Sequence, residues 1–242
     1  MSADNVKVIA FDADDTLWDC QGHFEKVMER LYDELSPWAD RGTSAAELFA
    51  TERKNMPLLG YGVKAFTLSV IETALRVSGN AMPAETTARL LRECYTLLDF
   101  PCTPLPGVEQ TLAWLHDEGG WPLVVFTKGE LLDQQRKLER SGLKRFFSHT
   151  EITSGKGERE FRRLCEKLGV KPCEMLMVGN SLKSDIAPAL AIGCPAVYVP
   201  FHITWQLEHA EDMNHPLMVR IERMDQLKGV VGRSRHARSR EG

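Results

Sequence analysis

Apolar positions along the chain follow two rhythms. From Val6 to Phe11 a continuous apolar run, broken only by Lys7 and rich in β-branched residues, predicts a buried strand of a parallel sheet that stops abruptly at Asp12. From about 21 to 100 the spacing is helical. Phe24, Val27, Met28, Leu31 and Leu35 line one face of a helix over 23–35, and Pro37 breaks it. Further helices are expected at 44–54, 63–77 and 83–98, the last with Pro83 in its first turn, and no strand interrupts this stretch.

After the proline-punctuated segment 101–106 the rhythm changes. A helix over 108–115 is followed by a strand at 123–127, a helix at 131–140, a strand at 147–152 and a helix at 160–168. A strand at 175–178, a helix at 185–192 and a strand at 196–199 complete the pattern. Strands alternating with helices of this length imply βαβ units and a parallel sheet covered on both faces. The expected fold is therefore α/β: a Rossmann-like core built from residues 1–18 and 103–232, with an all-helical insertion over 19–102 and a basic, disordered tail over 233–242.

Composition narrows the class. With 43% hydrophobic and 26% charged residues the chain reads as an ordinary globular protein. Its apolar runs fall short of the roughly 18 residues a membrane helix needs, and no charged start followed by an apolar stretch opens it, so a soluble, cytoplasmic chain without a membrane partner is expected. A net charge of −4 argues against a nucleic-acid binder, although four arginines fall between 233 and 240. Cys20, Cys94, Cys102, Cys165, Cys173 and Cys194 lie scattered, without a CxxC pair, and read mostly as buried thiols of a reducing compartment.

Ligands of open parallel sheets bind beyond the carboxyl ends of the strands. Those ends here carry Asp12-Ala13-Asp14-Asp15-Thr16, Thr127-Lys128-Gly129, Ser154-Gly155-Lys156 and Gly179-Asn180-Ser181, with Asp185 close behind. Two carboxylates at i and i+2 repel unless a cation lies between them or one is protonated. Asp12 with Asp185 offers oxygen ligands to a hard divalent ion, for which Mg²⁺ is the natural candidate, and Lys156 and Thr127 would face the oxygens of a transferred group.

In these motifs the chain resembles the haloacid dehalogenase-like (HAD) hydrolases of phosphatase type with a helical (C1-type) cap. VIAFDADDT is similar to the family's strand followed by DxDxT, VVFT to the strand ending in Ser or Thr, Lys156 to the lysine before a helix, and GNSLKSD to GDxxxxD. The resemblance implies that Asp12 is a nucleophile forming an aspartyl phosphate and that Asp14 is acid and then base. It further implies that Thr127 binds a phosphoryl oxygen and Lys156 holds Asp12 and the phosphate. Mg²⁺ would lie on Asp12, the Asp14 carbonyl and Asp185. Asn180 stands where the family commonly has Asp, so it is expected as a direct or water-mediated metal ligand of lower charge. The partner implied is a small phosphorylated metabolite.

Simpler roles compete at each position. Aspartates cap helices and occupy turns, Thr127 alone reads as a cap, and Lys128 reads as a solvated lysine. Lys144, Lys167 and Lys171 are alternatives to Lys156 that sit within or beside helices. His202, Thr204, Trp205 and Glu208 follow a strand end and border the cleft, with Trp205 expected to pack on the core and His202 expected to be non-catalytic. Arg53, Lys54, Tyr61 and Lys64 are candidates for a substrate pocket in the insertion. The rival activities are a 2-haloacid dehalogenase, which resembles this core but lacks the second aspartate, and a non-catalytic binding module on the same scaffold.

Overall fold

A computed structural model of the chain describes residues 5–238, with side chains as far as 232. The chain divides into two compact units, Met1–Asp19 with Cys102–Gly242, and Cys20–Pro101.

The second unit is helical: α1 (Gln21–Leu35), α2 (Arg41–Leu59), α3 (Val63–Val77) and α4 (Ala84–Thr96). Their apolar stripes meet in one cluster that includes Leu31, Leu35, Leu48, Val70, Leu90 and Cys94. α2 is longer at both ends than the apolar pattern predicts. Asp40 caps it by accepting a 2.8 Å hydrogen bond from the Thr43 amide, and its inward face carries the polar residues Ser44, Thr51, Glu52 and Asn55 beside Leu48. Two of these are satisfied locally: Thr51 donates to the Glu47 carbonyl at 2.9 Å and Asn55 to Ser69 Oγ at 3.2 Å. A buried stripe made of hydroxyls and amides is invisible to hydrophobic periodicity. Pro83 is the N-cap residue of α4, one position earlier than expected. Of the insertion's pocket candidates, Arg53, Lys54 and Lys64 are exposed and Tyr61 half-buried.

The first unit holds a six-stranded sheet, every neighbouring pair parallel, in the order β3-β2-β1-β4-β5-β6. Its strands are β1 (Val8–Phe11), β2 (Leu123–Lys128), β3 (Phe147–Thr153), β4 (Met175–Gly179), β5 (Ala196–Tyr198) and β6 (Met218–Arg220). Alternate side chains point to opposite faces, so Val8, Ala10, Val124, Phe126, Met175 and Met177 share one face. They pack there against Phe161, Leu164 and Cys165 of α7 (Glu158–Leu168) and Ala189 and Leu190 of α8 (Ala187–Ala191). The rings of Phe126 and Phe161 meet edge to face with centroids 4.9 Å apart. α5 (Val108–Asp117) and α6 (Leu131–Arg140) complete the earlier crossovers.

Three local differences from the sequence pattern stand out. β6 and the last helix, α9 (Leu227–Arg238), fall beyond the last expected strand; β6 has only three residues and gains its identity from pairing with β5. The helix expected over 185–192 begins earlier, as a π-helical turn over Leu182–Ile186 that Ser181 initiates by accepting from the Ser184 amide. α9 continues helical backbone into the segment expected as a disordered tail, and residues 239–242 lie outside the described residues. Among the described residues Cys173 is exposed and the other five cysteines are buried, and no helix is long and apolar enough to cross a membrane.

Candidate active site

The chain leaves β1 for β2 on one side while β4 lies on the other, so the sheet's topological switch point falls between β1 and β4. Register places Phe11 opposite both Val125 and Val178, and the Asp12 amide donates to the Val178 carbonyl at 2.9 Å. The first residues past these strands therefore share one edge of the sheet.

Asp12 is buried there. Its Oδ1 accepts from Lys156 Nζ at 2.7 Å, and Thr16 Oγ1 lies 3.2 Å from its Oδ2. Lys156 also donates to Asp185 Oδ1 at 2.5 Å, so one ammonium joins the end of β1 to the turn after β4. The Lys156 chain lies over the face of Phe126, with Nζ 5.1 Å from the ring centroid. Burial and the nearby Asp185 charge push the Asp12 carboxyl up to about 7 despite Lys156. Burial alone would depress Lys156, but Asp12 and Asp185 outweigh it and hold the ammonium above its ordinary range.

Asp185 is almost wholly enclosed, 1% exposed, and its Oδ2 accepts from the Ser181 amide at 2.9 Å. Asn180 faces Thr16 twice: its amide donates to Thr16 Oγ1 at 3.1 Å, and Thr16 Oγ1 lies 3.0 Å from Asn180 Oδ1. A hydroxyl has one proton to give to Asp12 Oδ2 and Asn180 Oδ1 together, which leaves lone pairs on that oxygen cluster. Two carboxylates set against one ammonium leave a net negative charge, and every donor atom is a hard oxygen. That donor set fits a divalent cation of the Mg²⁺ kind.

Asp14 is turned to a different set of partners. Trp18 Nε1 donates to its Oδ1 at 2.8 Å, Gln134 Nε2 to its Oδ2 at 2.7 Å, and Lys137 Nζ reaches both oxygens, at 3.2 and 3.1 Å. Burial raises this carboxyl, but Lys137 and the Gln134 and Trp18 donors outweigh it and hold it below the usual carboxylate range. Asp15 next to it takes a left-handed backbone conformation, φ 61°, which turns the chain between Asp14 and Thr16.

Thr127 is buried near the end of β2, two residues past the Val125 that pairs with Phe11, and its hydroxyl makes a long 3.4 Å contact with the Lys128 carbonyl. It shares the sheet edge with Asp12 without bonding to the Asp12–Lys156–Asp185 group. Lys128 is not the solvated lysine expected. Its Nζ donates to Glu208 Oε1 at 2.6 Å and to Ser184 Oγ at 2.7 Å, because the loop after β5 folds back over the strand ends. Glu208 Oε2 in turn accepts from Ser181 and Ser184, and burial notwithstanding, Lys128 and these donors hold its carboxyl low. From the same loop His202 is exposed and Trp205 half-buried. Of the alternative lysines, Lys144 pairs with Glu139 and Lys167 with Glu151.

Thr16, Trp18, Gln134, Lys137, Ser181 and Ser184 thus enter the site without having been assigned a role from sequence. Thr16 had a signal, being the last position of DxDxT. Gln134 shares a helix face with Leu131 and Leu138 by spacing alone, whereas Lys137 had no signal, being a charged residue of a strongly polar helix.

Residues 6–193 match the haloacid dehalogenase-like hydrolase family. Glyceraldehyde 3-phosphate phosphatase of Pyrococcus furiosus is 32% identical over 102 residues, 40% of this chain and 42% of that protein. The protein of the same name from Methanothermobacter thermautotrophicus is 26% identical over 233 residues, 93% of this chain and 100% of that one. Among solved structures, a haloacid dehalogenase-like family hydrolase from Xanthomonas campestris superposes with a TM-score of 0.86 at 28% identity, covering 98% of this chain and 95% of the other. The chain belongs to the haloacid dehalogenase-like hydrolases.

Proposed function

We propose that the protein is a Mg²⁺-dependent phosphatase that hydrolyses a small phosphomonoester through an aspartyl phosphate on Asp12. The observation that carries this reading is the bridge made by Lys156 between Asp12 and Asp185, which holds two buried carboxylates together at the switch point. The phosphatases named above, 26–32% identical, support a small phosphorylated metabolite as substrate.

In the first half-reaction an Asp12 oxygen attacks phosphorus, the bond from phosphorus to the leaving oxygen breaks, and Asp14 supplies the proton that oxygen takes up. Lys156 keeps the Asp12 carboxylate oriented, and Thr127 donates its hydroxyl to a phosphoryl oxygen. In the second half-reaction water attacks the phosphorylated Asp12, Asp14 accepts its proton, and inorganic phosphate leaves. Asp12, the Asp14 carbonyl, Asp185 and Asn180 would hold Mg²⁺. When bound, the ion supplies positive charge that offsets repulsion between an anionic nucleophile and an anionic substrate.

The test is phosphate release from a panel of phosphomonoesters, with Mg²⁺ and with chelator, beside Asp12→Asn. Mg²⁺-stimulated release that Asp12→Asn abolishes is expected. Release that survives Asp12→Asn, or none from any ester, overturns the reading; chloride release from 2-haloacids without metal would favour the dehalogenase.

A further inference from the structure

Asp14 draws its support from a helix that carries none of the family-like motifs. Four polar contacts converge on its two oxygens. Gln134 and Lys137 both come from α6, and Trp18 comes from the turn after β1. Lys137 is an unusual residue to find there: its side chain is only 2% exposed, although lysine is almost never fully buried without a partner. It is shared between Asp14 and Asp133 one turn earlier, with Asp133 Oδ2 at 3.3 Å.

The backbone makes room for the same contact. Gly129 lies at φ 137°, and a Cβ there would stand 3.0 Å from Gln134 Nε2. Gln134 is further tied by donating to the Lys128 carbonyl at 3.1 Å. The amide is thus fixed at two acceptors, one of them the carbonyl of Lys128, the residue after Thr127.

Because each neighbour donates and Asp14 only accepts, the arrangement fixes the orientation of the Asp14 carboxylate. We propose that Gln134 and Lys137 are positioning residues that hold the Asp14 carboxylate as the base for the water that hydrolyses phosphorylated Asp12. The inference rests on the phosphatase reading and extends it to α6. In this step the bond from water oxygen to phosphorus forms, the bond from phosphorus to Asp12 breaks, and the water proton passes to Asp14. Misplacing a base by about 1 Å costs on the order of 100-fold in rate.

The test uses 4-nitrophenyl phosphate, whose leaving group departs without a proton, so that kcat/KM reports formation of the phosphorylated enzyme and kcat includes its hydrolysis. The proteins compared are the full chain, Gln134→Leu and Lys137→Met. Expected is a fall of roughly 10- to 100-fold in kcat with a matching fall in KM, leaving kcat/KM within about 3-fold. Acid-quenched intact mass should show more enzyme carrying one added phosphoryl group than in the unsubstituted protein. Gln134→Leu keeps the buried charge pair, so it gives a result even if Lys137→Met fails to fold. Loss of kcat/KM in step with kcat, without added phosphoryl mass in a folded Gln134→Leu, overturns the inference alone. Failure of the unsubstituted protein to release 4-nitrophenol overturns the phosphatase reading beneath it.

Discussion

Gly179 lies so close to the Asp185 carboxylate that a Cβ on it would stand 2.3 Å from Asp185 Oδ2. The last residue of β4 is glycine because a buried acid occupies the space its side chain would need. Asp185 cannot yield easily, since Ser181 and Lys156 hold its two oxygens. Gly179→Ala is therefore expected to destabilise the protein by about 1–3 kcal/mol and to reduce activity by at least 10-fold. Denaturant unfolding and phosphate release check this, and an unchanged rate would show that Asp185 can move freely.

Lys156 is the only ammonium bonded to the Asp12–Asp185 pair among the described residues. Lys156→Met leaves two buried acids facing each other, which costs about 3–5 kcal/mol when an ion pair is broken from one side. The loss should be smaller at pH 5, where Asp12 takes up a proton, than at pH 8. Unfolding curves at the two pH values decide it; an equal loss at both would mean that the acids do not repel.

The raised Asp12 carboxyl makes a second pH statement. A carboxyl near 7 in the folded chain and near 3.8 in the unfolded chain binds its proton more tightly when folded. Its contribution to stability is fully present below about pH 4 and is lost as pH rises through 7. In chelator, the unfolding free energy of the native sequence minus that of Asp12→Asn should fall between pH 5 and 8, by an amount on the order of a few kcal/mol. Added Mg²⁺ should offset the fall. A difference that stays flat with pH contradicts the burial of Asp12 beside Asp185.

Glu208 gathers Lys128, Ser181 and Ser184 at the turn that presents Asp185. Glu208→Gln keeps the shape but weakens its acceptance from Lys128. The Mg²⁺ concentration giving half-maximal activity is expected to rise about 10-fold, with a smaller change in kcat at saturating metal, as for other partners that orient metal ligands. Metal titration of activity and of thermal stability both read this. A kcat loss with no change in either titration would assign Glu208 a different task.

Much of the candidate site is legible in the sequence. β1 ends where its apolar run ends, with Asp12 just beyond, and β4 likewise leads into Asn180 and the turn to Asp185, while Thr127 is the last but one residue of β2 and Lys156 follows β3 by three residues. Local chemistry was enough, because a buried parallel strand must be apolar throughout and must change character where it reaches the ligand edge. Less legible was α2, whose buried face is built from Ser44, Thr51 and Asn55, and β6, whose three residues become a strand only through pairing with β5.

The order of residues along the chain determined the α/β alternation, the helical insertion and the set of strand-end groups, since these follow from short-range periodicity and from where apolar runs stop. Tertiary structure alone decided that Lys128 faces Glu208 rather than water, and that Lys137 and Gln134, 123 and 120 positions away from Asp14, turn inward to hold it. A charged residue on a polar helix is stable in solvent or buried beside an opposite charge, and only the neighbour brought close by the fold selects between the two.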